Sequence, residues 1–260
     1  MPALTIGVTA ARFEACKRGL AANYAAILAR REDVSVCVVD TDSRSCDVGT
    51  RLAIRGTSLQ RFAAPRVAGK GAILPARALP RLVFPPLSVL PVEPAFIDLD
   101  FGLAYDAALA AVREAFDVVV VDLPVGAGRP GPTLDGRMVD KVDVLLIAAT
   151  PDRSALAATL RHLELFEEAL DRGAVAPHVR AAAVMTGDEG STLLDPIDVA
   201  EMLGDGLIGH VPQLWGRSLP NFGFGPTLGV AFLEAEIDRM HALLSVQPRS
   251  GDAVTLQRTR

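Results

Sequence analysis

The sequence predicts an α/β protein whose mostly parallel sheet carries helices on both faces. Three observations predict it. Residues 116–124, FDVVVVDLP, hold four consecutive valines. A run too apolar to alternate is buried on both faces, as in a parallel sheet. Residues 142–150, VDVLLIAAT, repeat the pattern. Segments with helical spacing of apolar residues separate such runs, and strands that alternate with helices are joined by crossovers into parallel pairs.

The elements follow in order. The apolar run Leu4 to Val8 leads through Thr9, Ala10 and Ala11 into a helical pattern with Leu20, Tyr24, Ile27 and Leu28 on one face. Residues 34–40, VSVCVVD, read as a strand ending in Asp40, and Asp40-Thr41-Asp42 opens a polar loop to Gly49. A short helix is expected over 49–54. Residues 56–86 read as irregular, broken by Pro65, Pro75, Pro80, Pro85 and Pro86. A short strand over 87–94 stops at Pro91, and 103–115 reads as a helix with Leu103, Ala107, Ala110 and Ala111 on one face. After the two apolar strands, Thr150 is expected to cap a helix begun by Pro151. That helix runs to about Asp171 with Leu156, Leu160, Leu163 and Leu170 roughly in register. A strand over 179–185, a helix over 195–203, a strand at GLIGHVP and a helix over 228–246 complete one expected domain, 1–246. Residues 247–260 lack apolar periodicity and read as a disordered tail.

Half the residues are apolar, yet no run approaches the ~20 that span a membrane. The start, MPALTIGV, lacks the charged region and cleavage site of a secretory signal. Cys16, Cys37 and Cys46 show no metal-ligand spacing, nor do His162, His178, His210 and His241. A reduced cytoplasmic protein is expected, with peripheral attachment at a membrane left open. No Ser-His-Asp arrangement or HExxH appears, so the sequence offers no hydrolase site of those kinds. The net charge of −5 is uneven. Residues 48–92 contain no acid and seven bases, Arg51, Arg55, Arg61, Arg66, Lys70, Arg77 and Arg81, which leaves −12 for the rest. That segment could meet DNA, an anionic membrane surface or an acidic protein, or it is a solvated excursion.

Ligands of such sheets bind at the carboxyl ends of the strands. The polar residues there are Thr9, Asp40, Asp42, Asp122 and Thr150. The first strand, loop and helix stand where phosphate-binding loops occur, because backbone N–H groups and a helix N-terminus converge on an anion. The common loop reads G-x-x-x-x-G-K-[ST]. Over Ala11–Arg18 only Lys17 matches: Ala11 and Cys16 take the glycine positions, and Arg18 stands where Ser or Thr would ligate magnesium. Taken singly, Lys17 reads as an exposed first-turn lysine and each aspartate as a strand-end cap. Taken together they read as the remnant of a site.

The order of these pieces resembles the ParA/MinD family of P-loop ATPases, the partition and cell-division positioning proteins, over about residues 3–245. VTAARFEACKRG takes the place of that family's deviant Walker A loop, KGGxGK[ST], with Arg12 at its signature lysine. VVDTDSRSCDVG is similar to its aspartate-rich loop, which positions water and magnesium, with Asp40 and Asp42 matching. FDVVVVDLPVGAG is similar to its Walker B strand and switch, DxPPG, with Asp122, Pro124 and Gly126 matching. VDVLLIAATPDRSAL is similar to its next strand and Pro-started helix, and LIGHVPQLWGRS to its late strand and I-P turn. The resemblance implies a P-loop NTPase fold and a nucleotide site at Arg12, Lys17, Arg18 and Asp40, with Asp42 and Asp122 as the catalytic remnants.

The departures point away from catalysis. Phe13 and Glu14 replace the two central glycines, whose missing Cβ lets backbone N–H groups close on phosphate. Glu14 adds negative charge, and two unit charges ~4 Å apart repel by about 4 kcal/mol at a surface-like dielectric. No asparagine stands near Met185-Thr186, where the family reads adenine. The expectation is a degenerate, CpaE/MinD-like pseudo-ATPase with no cofactor and no metal. It would serve as a platform for a protein partner in placing division sites, chromosomes or secretion apparatus, through the 48–92 segment or as a homodimer. The alternative is a divergent ATPase that binds ATP and magnesium and dimerises with them. Arg12, Lys17 and Arg18 could also hold another anion, or pair with Glu14.

Overall fold

In the computed structural model of the chain, the described residues are 3–12, 14–31, 33–42, 58–59, 79, 87–92, 99–128, 134–186, 194, 196–211 and 228–245. The apolar runs form the strands: β1 (Leu4–Ala10), β2 (Val36–Asp40), β3 (Leu87–Leu90), β4 (Val118–Asp122), β5 (Val144–Ala149), β6 (Arg180–Thr186) and β7 (Leu207–Val211). They make one sheet in the order β3-β2-β4-β1-β5-β6-β7, and every pairing is parallel. The chain winds outward to β3, returns to place β4 beside β1, then continues on the other side with β5. The winding direction therefore reverses around β1. A crevice for a ligand opens at such a reversal, outside the carboxyl ends of the strands.

The helices are α1 (Glu14–Leu28), α2 (Leu99–Ala115), α3 (Leu134–Val139), α4 (Arg153–Asp171), α5 (Pro196–Leu203) and α6 (Leu228–Ser245). Alternation along each strand divides the core into two layers. Ile6, Val8, Val118, Val120 and Leu146 pack with α1 and α6, while Val119, Val121, Leu145 and Ile147 pack with α2 and α4. Full burial of each such valine or leucine contributes about 1.5–3 kcal/mol. From Leu20 to Leu28 helix α1 is buried nearly all round, because Ala21, Ala22, Ala25 and Ala26 let it lie close to its neighbours.

Three expectations are corrected. Helix α2 begins four residues earlier and buries Phe101, Tyr105, Ala108, Leu109 and Val112, whereas Leu103 is 59% exposed and Ala110 is exposed. The face with the larger apolar side chains goes inward, not the alanine-rich one. The cap of α4 is Asp152 rather than Thr150: its carboxylate accepts the Ala155 N–H at 2.9 Å, and Thr150 donates its hydroxyl to the other carboxylate oxygen. A carboxylate close to the first free N–H groups also opposes the positive end of the helix dipole. The inward face of α4 is Ala155, Leu156, Thr159, His162, Phe166 and Ala169, with Leu160, Leu163 and Leu170 half-buried at its margin. The expected helix over 49–54 and the tail over 247–260 lie outside the described residues. Within the stretch expected to be irregular, Leu59 and Leu79 are described and buried in the layer that holds α2.

Candidate functional site

Two strand ends and the first turn of α1 build the site. Asp40 closes β2 and Asp122 closes β4, and the two are register partners. The chain beyond β2 then folds over the end of β4: the backbone N–H and the hydroxyl of Thr41 both donate to the carbonyl of Asp122, at 3.1 and 2.8 Å. The Asp42 N–H donates to Asp40 Oδ1 at 3.1 Å, a local turn that points Asp42 toward α1. From the first turn of α1, Lys17 enters this cluster. Its Nζ lies 2.8 Å from Asp42 Oδ2, 3.1 Å from Asp122 Oδ1 and 2.6 Å from the carbonyl of Leu123.

Lys17 is therefore not the exposed first-turn lysine that it resembles in isolation: it is 0% exposed. An ammonium carries three N–H bonds, and three oxygens of this chain already surround it. Burial alone would depress the Lys17 ammonium, but the Asp122 and Asp42 carboxylates outweigh it and hold its pKa above the usual lysine value. Asp40 is fully buried, and Lys17 draws its pKa down only in part. Burial pushes its carboxyl well above the usual range, and the neighbouring Asp122 pushes it further. Among the described residues Asp40 Oδ2 has no hydrogen-bond partner.

The loops beside the cluster are tied down. Leu123 N–H donates to Val8 O at 2.9 Å, Gly126 N–H to Ala10 O at 2.8 Å, and Thr9 Oγ1 to Pro124 O at 2.7 Å. Gly126 and Gly128 turn with φ of 83° and 89°, in the region that favours glycine. Arg12, exposed on the loop before α1, donates to Ser154 Oγ at the first turn of α4. It is thus engaged within its own chain.

The structure brings together Lys17, Asp40, Asp42 and Asp122, with Thr9 alongside and Arg12 at the rim. The side chains of Glu14 and Arg18, and all of Phe13, lie outside the described residues. So do Arg51, Arg55, Arg61, Arg66, Lys70, Arg77 and Arg81. Sequence reasoning missed the backbone acceptor at Leu123, the Thr41 hydroxyl and His162. For a carbonyl no sequence signal exists. His162 shares the spacing of Ala155, Thr159, Phe166 and Ala169, which places it on the inward face. Among the described residues no group of His, Cys, Asp and Glu is arranged to hold a metal ion, and no helix is long and apolar enough to cross a membrane.

With this geometry in place, the chain has the fold of the ParA/MinD P-loop NTPases. It is similar to the ParA family ATPase of Chlorobium tepidum, with a TM-score of 0.70 at 16% identity over 93% of this chain and 99% of that one. It is also similar to MinD in the MinC:MinD cell division complex of Aquifex aeolicus, at 0.61 and 18% over 98% and 99%. A third similar structure is the septum site-determining protein MinD of Pyrococcus horikoshii complexed with Mg-ADP, at 0.64 and 13% over 94% and 96%. No family model matches the sequence, and no curated protein matches it.

Proposed function

We propose that the chain is a degenerate ParA/MinD-like protein, a pseudo-ATPase that uses the fold as a binding or regulatory platform in positioning division sites, chromosomes or secretion apparatus. The observation that carries this reading is the commitment of Lys17. The one residue that matches a phosphate loop has its ammonium buried between Asp42, Asp122 and the Leu123 carbonyl. A polyphosphate would have to displace two carboxylates from it. Breaking a buried pair by removing one partner costs about 3–5 kcal/mol, so a weak anion would not open it. With Phe13, Glu14 and Arg18 in the loop as well, the residues present do not fit a magnesium nucleotide.

Binding is then the function. One similar structure holds MinD together with MinC, which supports a protein partner for this chain. The base-rich segment 48–92 would take an anionic partner, DNA or a membrane surface, with binding that falls steeply as salt rises. A homodimer would form without nucleotide. A second reading, an active but divergent ATPase that dimerises on ATP, is favoured by the placement of Asp40, Asp42 and Asp122 at the strand ends and by the Mg-ADP that a similar structure holds.

Calorimetric titration with ATP and ADP, with and without magnesium, decides between them. No heat of binding at millimolar nucleotide is the expected outcome. Micromolar binding that Lys17→Ala abolishes would establish the second reading and discard the first.

A further inference from the structure

Helix α4 reaches both loops that flank Lys17. At its first turn Ser154 accepts from Arg12. Two turns later His162, 0% exposed, places Nε2 2.8 Å from the carbonyl of Ala127. A carbonyl only accepts, so the proton of that bond sits on Nε2. Ala127 belongs to the loop that follows β4, and Leu123 of the same loop gives its carbonyl to Lys17 at 2.6 Å. The near end of this loop is bonded to β1. Its far end is held by His162 and by Gly128, where a Cβ would come within 2.8 Å of Leu145 Cδ2.

We propose that His162 is a positioning residue that pins the loop after β4, keeping the Leu123 carbonyl on Lys17 and the Lys17 cluster shut. This rests on the reading that Lys17 is committed internally. It gives α4 a role of its own: packed on the sheet, it is fastened to the loop of Arg12 at its first turn and to the loop of Ala127 two turns later. Leu123, Pro124 and Gly126 stay bonded to β1, so releasing the far fastening loosens the loop from Ala127 onward and weakens, through it, the hold of the Leu123 carbonyl on the ammonium.

The chain offers an internal comparison, because Lys17 is buried while the Lys141 side chain is 48% exposed. Both react with an acetylating ester only when the amine is accessible and unprotonated. In the full-length protein, acetylation at Lys17 relative to Lys141 is followed by mass spectrometry for the wild type, His162→Leu and His162→Gln. Leucine fills the volume without a donor, and glutamine supplies an N–H near the position of Nε2. The expected result is labelling of Lys17 about tenfold faster in His162→Leu, the fold-change of one buried hydrogen bond near the top of its usual range, and near-wild-type protection in His162→Gln. Unchanged protection in a folded His162→Leu, or equal loss of protection in both variants, would overturn the pin. Should the variants fail to fold, the ring is read in the wild type: nitrogen NMR is expected to show the proton on Nε2, and a proton on Nδ1 would overturn the proposal. A wild type in which Lys17 labels as fast as Lys141 would instead contradict the underlying reading of the cluster.

Discussion

Helix α1 meets carboxylates at both of its ends, in opposite surroundings. At its start Lys17 is fully buried between Asp42 and Asp122. Just past its end Arg30 and Arg31 reach Glu234 and Asp238 of α6, with side chains about a third to a half exposed. The charges are alike in kind, and what differs is water. At the far end solvent screens the pairs and competes for them, so they orient two helices at little energetic consequence. At the near end the pairs are buried, so solvent does not screen them, and losing a partner there costs far more than at the surface. A lysine in that position is held by the carboxylates of the fold itself.

The largest effect expected from this contrast is that of Lys17→Met, which takes a buried cation away from Asp42 and Asp122. Denaturant unfolding should show a loss of about 3–5 kcal/mol. A loss under about 1 kcal/mol, the scale of an exposed pair, would erase the distinction between the two ends.

The two ends should also respond to pH in opposite directions. Asp40 has a raised pKa in the folded state, through burial first and Asp122 second. The folded protein then binds the proton more tightly than the unfolded chain does. Stability is highest below the unfolded value of about 3.9 and falls as pH rises from there toward the folded value. Asp40→Asn should flatten that decline while preserving shape, and an unchanged pH profile would argue that Asp40 folds as an ordinary carboxylate. At the far end Tyr24 Oη lies 3.2 Å from His241 Nδ1. Burial, and then the nearby Arg31, depresses the His241 pKa. Here the unfolded chain binds the proton more tightly, so stability falls as pH drops below about 6.5. Replacing His241 with Asn should remove that acid-side loss.

The smallest effect belongs to Arg30 and Glu234. A double-mutant cycle with alanine should give a coupling of about 0.2–1 kcal/mol, fading with added salt. A coupling that persists in molar salt would show that this end, too, is shielded from water.

The fold and the aspartates of the near end were legible in the sequence; the far end was not. The valine run of β4 and the apolar run of β5 identify the parallel core. The rule that ligand groups collect at carboxyl ends of strands brings Asp40, Asp42 and Asp122 to one edge before any coordinate is known. What the residues could not disclose is direction. Lys17 falls in a first turn, where lysines usually point to water. Its inward course depends on Asp42 being turned toward it by the bond from the Asp42 N–H to Asp40, and on a backbone carbonyl at Leu123 that no side-chain pattern encodes. The same limit explains α2, where the face marked by Leu103 and its alanines competed with the bulkier Phe101, Tyr105 and Leu109. It explains α4 as well, where Thr150 was the expected cap and the carboxylate of Asp152, a stronger acceptor, took the N–H.

Whether the Lys17 ammonium stays with Asp42 and Asp122 when nucleotide is offered is read from the ammonium itself. In nitrogen-15 NMR a buried, paired Lys17 should give a slowly exchanging Nζ signal, lost in Lys17→Met. The expected result is a signal that stays in place as Mg-ATP is raised to millimolar concentration. A saturable shift of the Lys17 resonance at micromolar Mg-ATP would contradict that pairing, because it would mean that phosphate can take the lysine from its carboxylates.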